Sequence, residues 1–178
     1  MKHTTIFITL FIALGLMSCK KDKTENPIEF KFQLLDTLGN EKTVFNEGEN
    51  IVFSFTIENT TDKDVYFSHS KMNLNDFFRL FKLNTIDGNL DIGKPYDSIF
   101  CEYIGALKIS SHSILKIEIP WFWKENQNYG YIGCPNNSYH SNNIPLNKGN
   151  YSTFFSSSFI IDNIQTETKY FKIQFLIK

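Results

Sequence analysis

From Ile28 onward, apolar and polar residues alternate with a period of two. This constrains the chain more than any other feature, because a half-buried strand puts every second side chain on one face. Ile28, Phe30, Phe32 and Leu34 point one way, with Glu29, Lys31 and Gln33 opposite. The pattern returns at Ile51, Phe53, Phe55 and Ile57, at Leu115, Ile117 and Ile119, and at Phe171, Ile173, Phe175 and Ile177. Shorter candidate strands are Thr43-Val44-Phe45, Val65-Tyr66-Phe67 and Tyr151 to Ile161. Turn residues separate them at Leu38-Gly39-Asn40, Glu47-Gly48, Asn59 to Asp64, Asp87-Gly88-Asn89 and Lys148-Gly149-Asn150.

Composition agrees: 18 Phe, 8 Tyr and 18 Asn stand against two Ala, a set of residues that favours strands and turns over helices. The expected fold is all-β, an immunoglobulin-like antiparallel β-sandwich of about seven to nine strands over residues 28–178. A domain of about 150 residues buries roughly 70% of its unfolded surface and needs no partner to fold. Leu146-Asn147-Lys148-Gly149-Asn150-Tyr151 has the Leu-x-x-Gly-x-Tyr form of a tyrosine corner, in which the phenol bonds back to upstream backbone. Asn73 to Leu83 fits two periods. Leu74, Phe77, Phe78 and Phe81 would share a helix face that Asn73 could cap, whereas Phe77, Phe81 and Leu83 would share a strand face with Arg79, and strand is the preferred reading. Pro120 to Pro145 shows no period and is the longest candidate irregular segment.

Residues 1–18 read as a targeting segment, with Lys2 ahead of a 12-residue apolar run, Ile6 to Met17, and small Ser18 before Cys19. That run is shorter than the roughly 20 residues that span a bilayer. Leu16-Met17-Ser18-Cys19 resembles the lipobox of bacterial lipoproteins, which implies cleavage before Cys19 and acylation of its thiol and new amino group. The alternative is an ordinary secretory signal with an unrelated Cys. Each buried methylene contributes about 0.8 kcal/mol, so two or three acyl chains anchor firmly where one does not. Residues 19–27, the lipidated Cys and Lys20 to Pro27, read as a charged flexible spacer. The implied location is the cell envelope, lipid-anchored to the outer membrane on its periplasmic or surface side.

The order Phe45-x-x-Gly48-Glu49, Ile51-x-Phe53-x-Phe55-x-Ile57-x-Asn59, Asp76-Phe77-Phe78 with Asp87-Gly88, Ile117-x-Ile119-x-Trp121 and Leu146-x-x-Gly149-x-Tyr151 is similar to the immunoglobulin-like domain of the bacterial BsuPI-type proteinase-inhibitor family over roughly residues 28–160. The resemblance implies the sandwich and, more distantly, proteinase inhibition. Two departures stand against the latter: the family's namesake activity is intracellular, and no inhibitory loop residues match by position.

Charge excludes one class of partner. With 18 Lys+Arg against 19 Asp+Glu, the electrostatic footprint of a nucleic-acid binder is missing. Cys101 and Cys134 are an even pair in an exported chain, so a disulfide is expected. It would close a loop of about 34 residues and stabilise by roughly 3 to 4 kcal/mol; the alternative is two independent buried thiols. His69, His112 and His140 lack zinc-ligand spacing and read as solvated loop residues, and Ser110 to Ser113 reads as a polar turn. Asp87, Asp91, Asp97 and Glu102 lack the spacing of an EF-hand. No metal site, no cofactor and no catalytic constellation is expected.

The candidate ligand-binding residues are aromatic: Trp121, Trp123, Tyr129, Tyr131 and Tyr139, near Phe122 and among Asn126, Asn128, Asn136 and Asn137. Rings supply contact area at low entropy cost and amides hydrogen-bond in both directions, as glycan and peptide sites require. The alternative is that Trp121 and Trp123 cover the end of the core. The expected function is a non-enzymatic binding or accessory module with an envelope protein or glycan as partner, docking through an edge strand or the Trp121 to Tyr139 segment; proteinase inhibition is the further alternative.

Overall fold

The computed structural model describes residues 28–83, 88–96, 105–122 and 144–178. The strands are β1 (Ile28–Leu35), β2 (Val44–Phe45), β3 (Val52–Asn59), β4 (Val65–Ser68), β5 (Leu80–Leu83), β6 (Asn89–Gly93), β7 (Leu107–Ile109), β8 (Ile114–Pro120), β9 (Gly149–Ser157), β10 (Ile160–Ile161), β11 (Ile164–Gln165) and β12 (Lys169–Ile177). Among the described residues there is no helix. Nine of these strands have three or more residues, in line with the expected count.

The four alternating segments are β1, β3, β8 and β12. A three-stranded sheet, β1-β3-β8, faces a five-stranded one, β2-β12-β9-β5-β6, and a short sheet, β11-β10-β4-β7, completes the set. The chain changes sheet between β1 and β2, whose two residues run parallel to the end of β12. The other pairings are antiparallel. The result is an immunoglobulin-like antiparallel β-sandwich.

Phenylalanine fills the space between the layers. Phe155 of β9 lies 5.2 Å from Phe32, 5.7 Å from Phe55 and 4.8 Å from both Phe77 and Phe171, ring centre to ring centre. Phe55 meets Phe171 edge-on at 5.2 Å, and Phe30 stacks on Phe159 at 4.5 Å. These offset and edge-to-face arrangements suit the ring quadrupole.

Asn73 to Leu83 corrects the expectation of one strand. Only Leu80–Leu83 is strand, and 74–78 is a turn, closed by the Phe77 amide on the Asn73 carbonyl at 3.1 Å and the Asn73 amide group on Asp76 at 2.8 Å. Phe77 and Phe78 are consecutive, both fully buried and stacked at 3.9 Å. Neither strand nor helix geometry puts neighbours in sequence side by side on one face, so Phe78 adopts φ +60°. That left-handed backbone is uncommon for a bulky residue and is held by the surrounding rings.

The tyrosine corner is present. The Tyr151 hydroxyl donates to the Asn147 carbonyl at 2.6 Å, and burial, then the charge of Glu47, pushes its phenol pKa up from the ordinary value. Thr153, two residues on, is fully buried, and its hydroxyl has no hydrogen-bond partner among the described residues. A desolvated hydroxyl without a partner is destabilising, so Thr153→Val is expected to stabilise the domain by about 1 kcal/mol. Urea unfolding checks this, and an unchanged or lower midpoint contradicts it.

Candidate functional site

A groove opens where the two layers part beside the start of β1. It has a volume of about 550 Å³. Its floor is apolar, from Ile28, Phe30, Val65 and Ile161, and its rim carries Lys63, Asp64, Asp162, Glu167 and Lys169. A shallower extension of about 310 Å³ runs between β1 and β12 over Glu29, Tyr170 and Phe171.

Three local devices shape it. β10 and β11 form a hairpin whose turn residues, Asp162 and Asn163, both have positive φ, 49° and 66°, as a type I′ turn requires. The Asp162 carboxylate accepts the Tyr66 amide at 2.8 Å, tying the hairpin to β4. At its base the Phe159 amide donates to the Thr166 hydroxyl at 3.0 Å and the Thr166 amide to the Phe159 carbonyl at 2.8 Å. Ile164 is left 73% exposed at the groove wall. Opposite, Asp64 pairs with Lys108 at 2.6 Å and accepts the Ser111 amide at 3.1 Å. The Lys108 ammonium and then that amide hold the Asp64 carboxyl below its ordinary value, and Asp64 in turn raises Lys108. Among the described residues Lys63, Glu167 and Lys169 enter no ion pair.

The loop behind the groove is organised by Asn59. Its side chain is fully buried. The Nδ2 group donates to the carbonyls of Lys63 at 2.7 Å, Ser110 at 3.0 Å and Ile109 at 3.1 Å, and Oδ1 accepts the Thr61 hydroxyl at 2.7 Å and amide at 3.0 Å. One amide thus ties the 59–63 turn to the 109–110 segment behind the rim. The sequence places Asn59 at the start of a turn and at the inward end of the Ile51 to Asn59 alternation; a polar residue at an inward position of that strand was the signal available.

The groove lies against backbone that has no partner among the described residues. In an antiparallel ladder a residue's N–H and C=O point to the same side, and the side alternates along the strand. The Lys42 amide donates to the Leu34 carbonyl at 2.9 Å, so Leu34 faces away from β3. By alternation so do Ile28, Phe30 and Phe32. Lys42 and the Leu35–Glu41 bridge cover the far end of this edge. Over residues 28–32 no described residue pairs with it. Among the described residues β12 is likewise unpaired over 169–173 on that side, because β2 reaches only Leu176 and Ile177. Glu29 and Lys31 are the exposed side chains between the open positions of β1.

The aromatic candidates divide. Trp121 is a correction: it is 2% exposed, 6.2 Å from Phe53, with its indole N–H donating to the Ile144 carbonyl at 3.1 Å. It covers the end of the core, and its ring presents no surface to a ligand. Asn50 holds the same region, its amide group donating to the Phe122 carbonyl at 2.6 Å and accepting the Phe122 amide at 3.2 Å. Trp123, Tyr129, Tyr131 and Tyr139 lie outside the described residues, as do Cys19, Cys101 and Cys134.

His69 also differs from expectation, being buried. His112 is exposed, 2.8 Å from Asp62, in the expected polar turn, and His140 lies outside the described residues. Asp91 contacts Arg79, and Asp87, Asp97 and Glu102 lie outside the described residues. Among the described residues no group of three or more His, Cys, Asp or Glu is placed to hold a metal ion, and no helix is long and apolar enough to cross a membrane.

No protein-family model matches the sequence, and no curated protein matches it. Among solved structures the chain is similar to the ASH/PapD-like domain of human CEP192 (PapD-like domain 7), at 14% identity over 85% of each chain with a TM-score of 0.40. It is also similar to part of the Pseudomonas fluorescens alkylpurine DNA glycosylase AlkC bound to DNA containing an abasic-site analogue, at 10% identity over 82% of this chain and 30% of that one, with a TM-score of 0.28.

Proposed function

We propose that the chain is a lipid-anchored binding module of the cell envelope whose β1 edge and adjoining groove receive an extended polypeptide strand. The observation that carries this is the open backbone of Ile28, Phe30 and Phe32 beside a 550 Å³ groove with an apolar floor. An unpaired edge offers donors and acceptors at strand spacing, which another backbone matches, and neighbouring pockets accept alternate side chains. Anchoring at Cys19 supplies the location. Eight residues lie between Cys19 and Ile28, nine Cα steps with a reach of about 30 Å when extended, so the site stays close to the bilayer and its partner is membrane-associated. The chain acts by holding that partner.

The test places a photo-cross-linking side chain at Glu29 of the full-length protein in its own membranes, and another at Leu90, which is exposed on β6 at the opposite edge of the five-stranded sheet. A polypeptide adduct from position 29 and none from position 90 is expected. Absence of an adduct at 29, or equal adducts at both positions, overturns the reading.

A further inference from the structure

We infer that the strand received by the β1 edge is β1 of a second copy of this chain, running antiparallel about a two-fold axis at Phe30. The inference rests on the strand-addition reading above and names its occupant. The open positions are Ile28, Phe30 and Phe32, so a copy whose backbone bonds match must pair even-numbered residues with even-numbered ones. Three two-fold registers do so near the centre of the open stretch. Centring on Glu29 sets Glu29 against Glu29 of the second copy, and centring on Lys31 sets Lys31 against Lys31, both like-charge contacts.

Centring on Phe30 sets Glu29 against Lys31 of the second copy and Lys31 against its Glu29, giving two complementary pairs from the sequence Ile28-Glu29-Phe30-Lys31-Phe32. It also uses the whole open length. Ile28 faces Phe32, Phe30 faces Phe30 and Phe32 faces Ile28, for about six backbone hydrogen bonds, two per facing pair. One end is closed, because beyond Phe32 the edge is taken by Glu41 and Lys42. The contact is isologous, so it stops at two copies. It joins the two three-stranded sheets into one of six strands. The two Ile28 residues come to lie about 14 Å apart along the strands, four residues at 3.4 Å each, a spacing that two nine-residue tethers in one bilayer span.

The experiment is sedimentation of the full-length chain in density-matched detergent micelles, with Glu29→Lys and Lys31→Glu variants. Both side chains are exposed. Each single reversal creates two like-charge pairs in the symmetric dimer and is expected to weaken dimerisation about tenfold or more. Mixing the two variants sets each new charge against its opposite, and the mixed dimer is expected to form within about threefold of the unaltered protein's affinity. Lys31 also contacts Glu41, and restoration on mixing separates loss of that contact from loss of the interface. A monomeric unaltered chain, single reversals without effect, or a mixture as weak as either variant alone overturns the inference. A monomer whose position 29 still cross-links to a different polypeptide refutes the second copy and leaves the strand-addition reading standing, whereas a monomer without any adduct refutes both.

Discussion

Urea unfolding of Asn59→Ala is expected to show a loss of about 3 kcal/mol relative to the unaltered chain, more than most surface or loop substitutions produce. The truncation removes a donor from the carbonyls of Lys63, Ile109 and Ser110 and the acceptor of the Thr61 amide in a place where the side chain is fully buried, leaving Lys63 the Thr61 hydroxyl and Ser110 the Ser113 amide. Each buried group left without a partner is destabilising by about 1 to 3 kcal/mol, and water entering the cavity recovers part of it. Asn59→Asp sharpens the test. A carboxylate still accepts from Thr61 but turns its other oxygen on three carbonyls, so Asp at this position folds better protonated, and the variant's deficit should be smaller at pH 4 than at pH 7. A loss under about 1 kcal/mol for the Ala variant would show that this amide does not organise the loop.

Phe155→Ala is expected to lose about 4 kcal/mol, in the range for emptying a core aromatic position. Its ring touches five others drawn from both layers and from the 74–78 turn. Phe154 is the control. It is 47% exposed on the outer face, stacked on Phe81 at 5.6 Å, and Phe154→Ala should lose under about 1 kcal/mol. Comparable losses at the two positions would contradict the assignment of inner and outer faces along β9.

What could be read from the sequence follows from how each element gets its stability. β1, β8 and β12 each have one wetter and one drier face, and that asymmetry is written directly into their alternation, which β3 shares in sequence although Ser54 on its outer face is buried. Tyr151 was legible because a corner needs a fixed spacing between the phenol and the carbonyl it reaches. A two-residue strand such as β11 leaves no period to detect, since its pairing is imposed by what lies beside it, whereas β2 falls inside the candidate strand Thr43-Val44-Phe45. Phe77 and Phe78 defeated both templates because an unusual φ buries consecutive rings. For Trp121 the sequence leaves a binding ring and a core cover both open, and the carbonyl of Ile144, 23 residues on, accepts its N–H in the second role. For the candidate site the limit is sharper. Alternation is the same for an edge strand as for a central one, so nothing in Ile28 to Phe32 announces that one side is unpaired, and the groove depends on a hairpin more than 130 residues away.

The open stretch of β1 is also the first part of the domain that a pull on the preceding chain would meet. β1 pairs with β3 along all eight of its residues, so tension applied along its axis is shared across the ladder as shear and is not delivered to one bond at a time as peeling would be. Two copies joined at Phe30 would pass such a load from one tether to the other through adjoining first strands, and the aromatic interior of each sandwich would lie off the line of force.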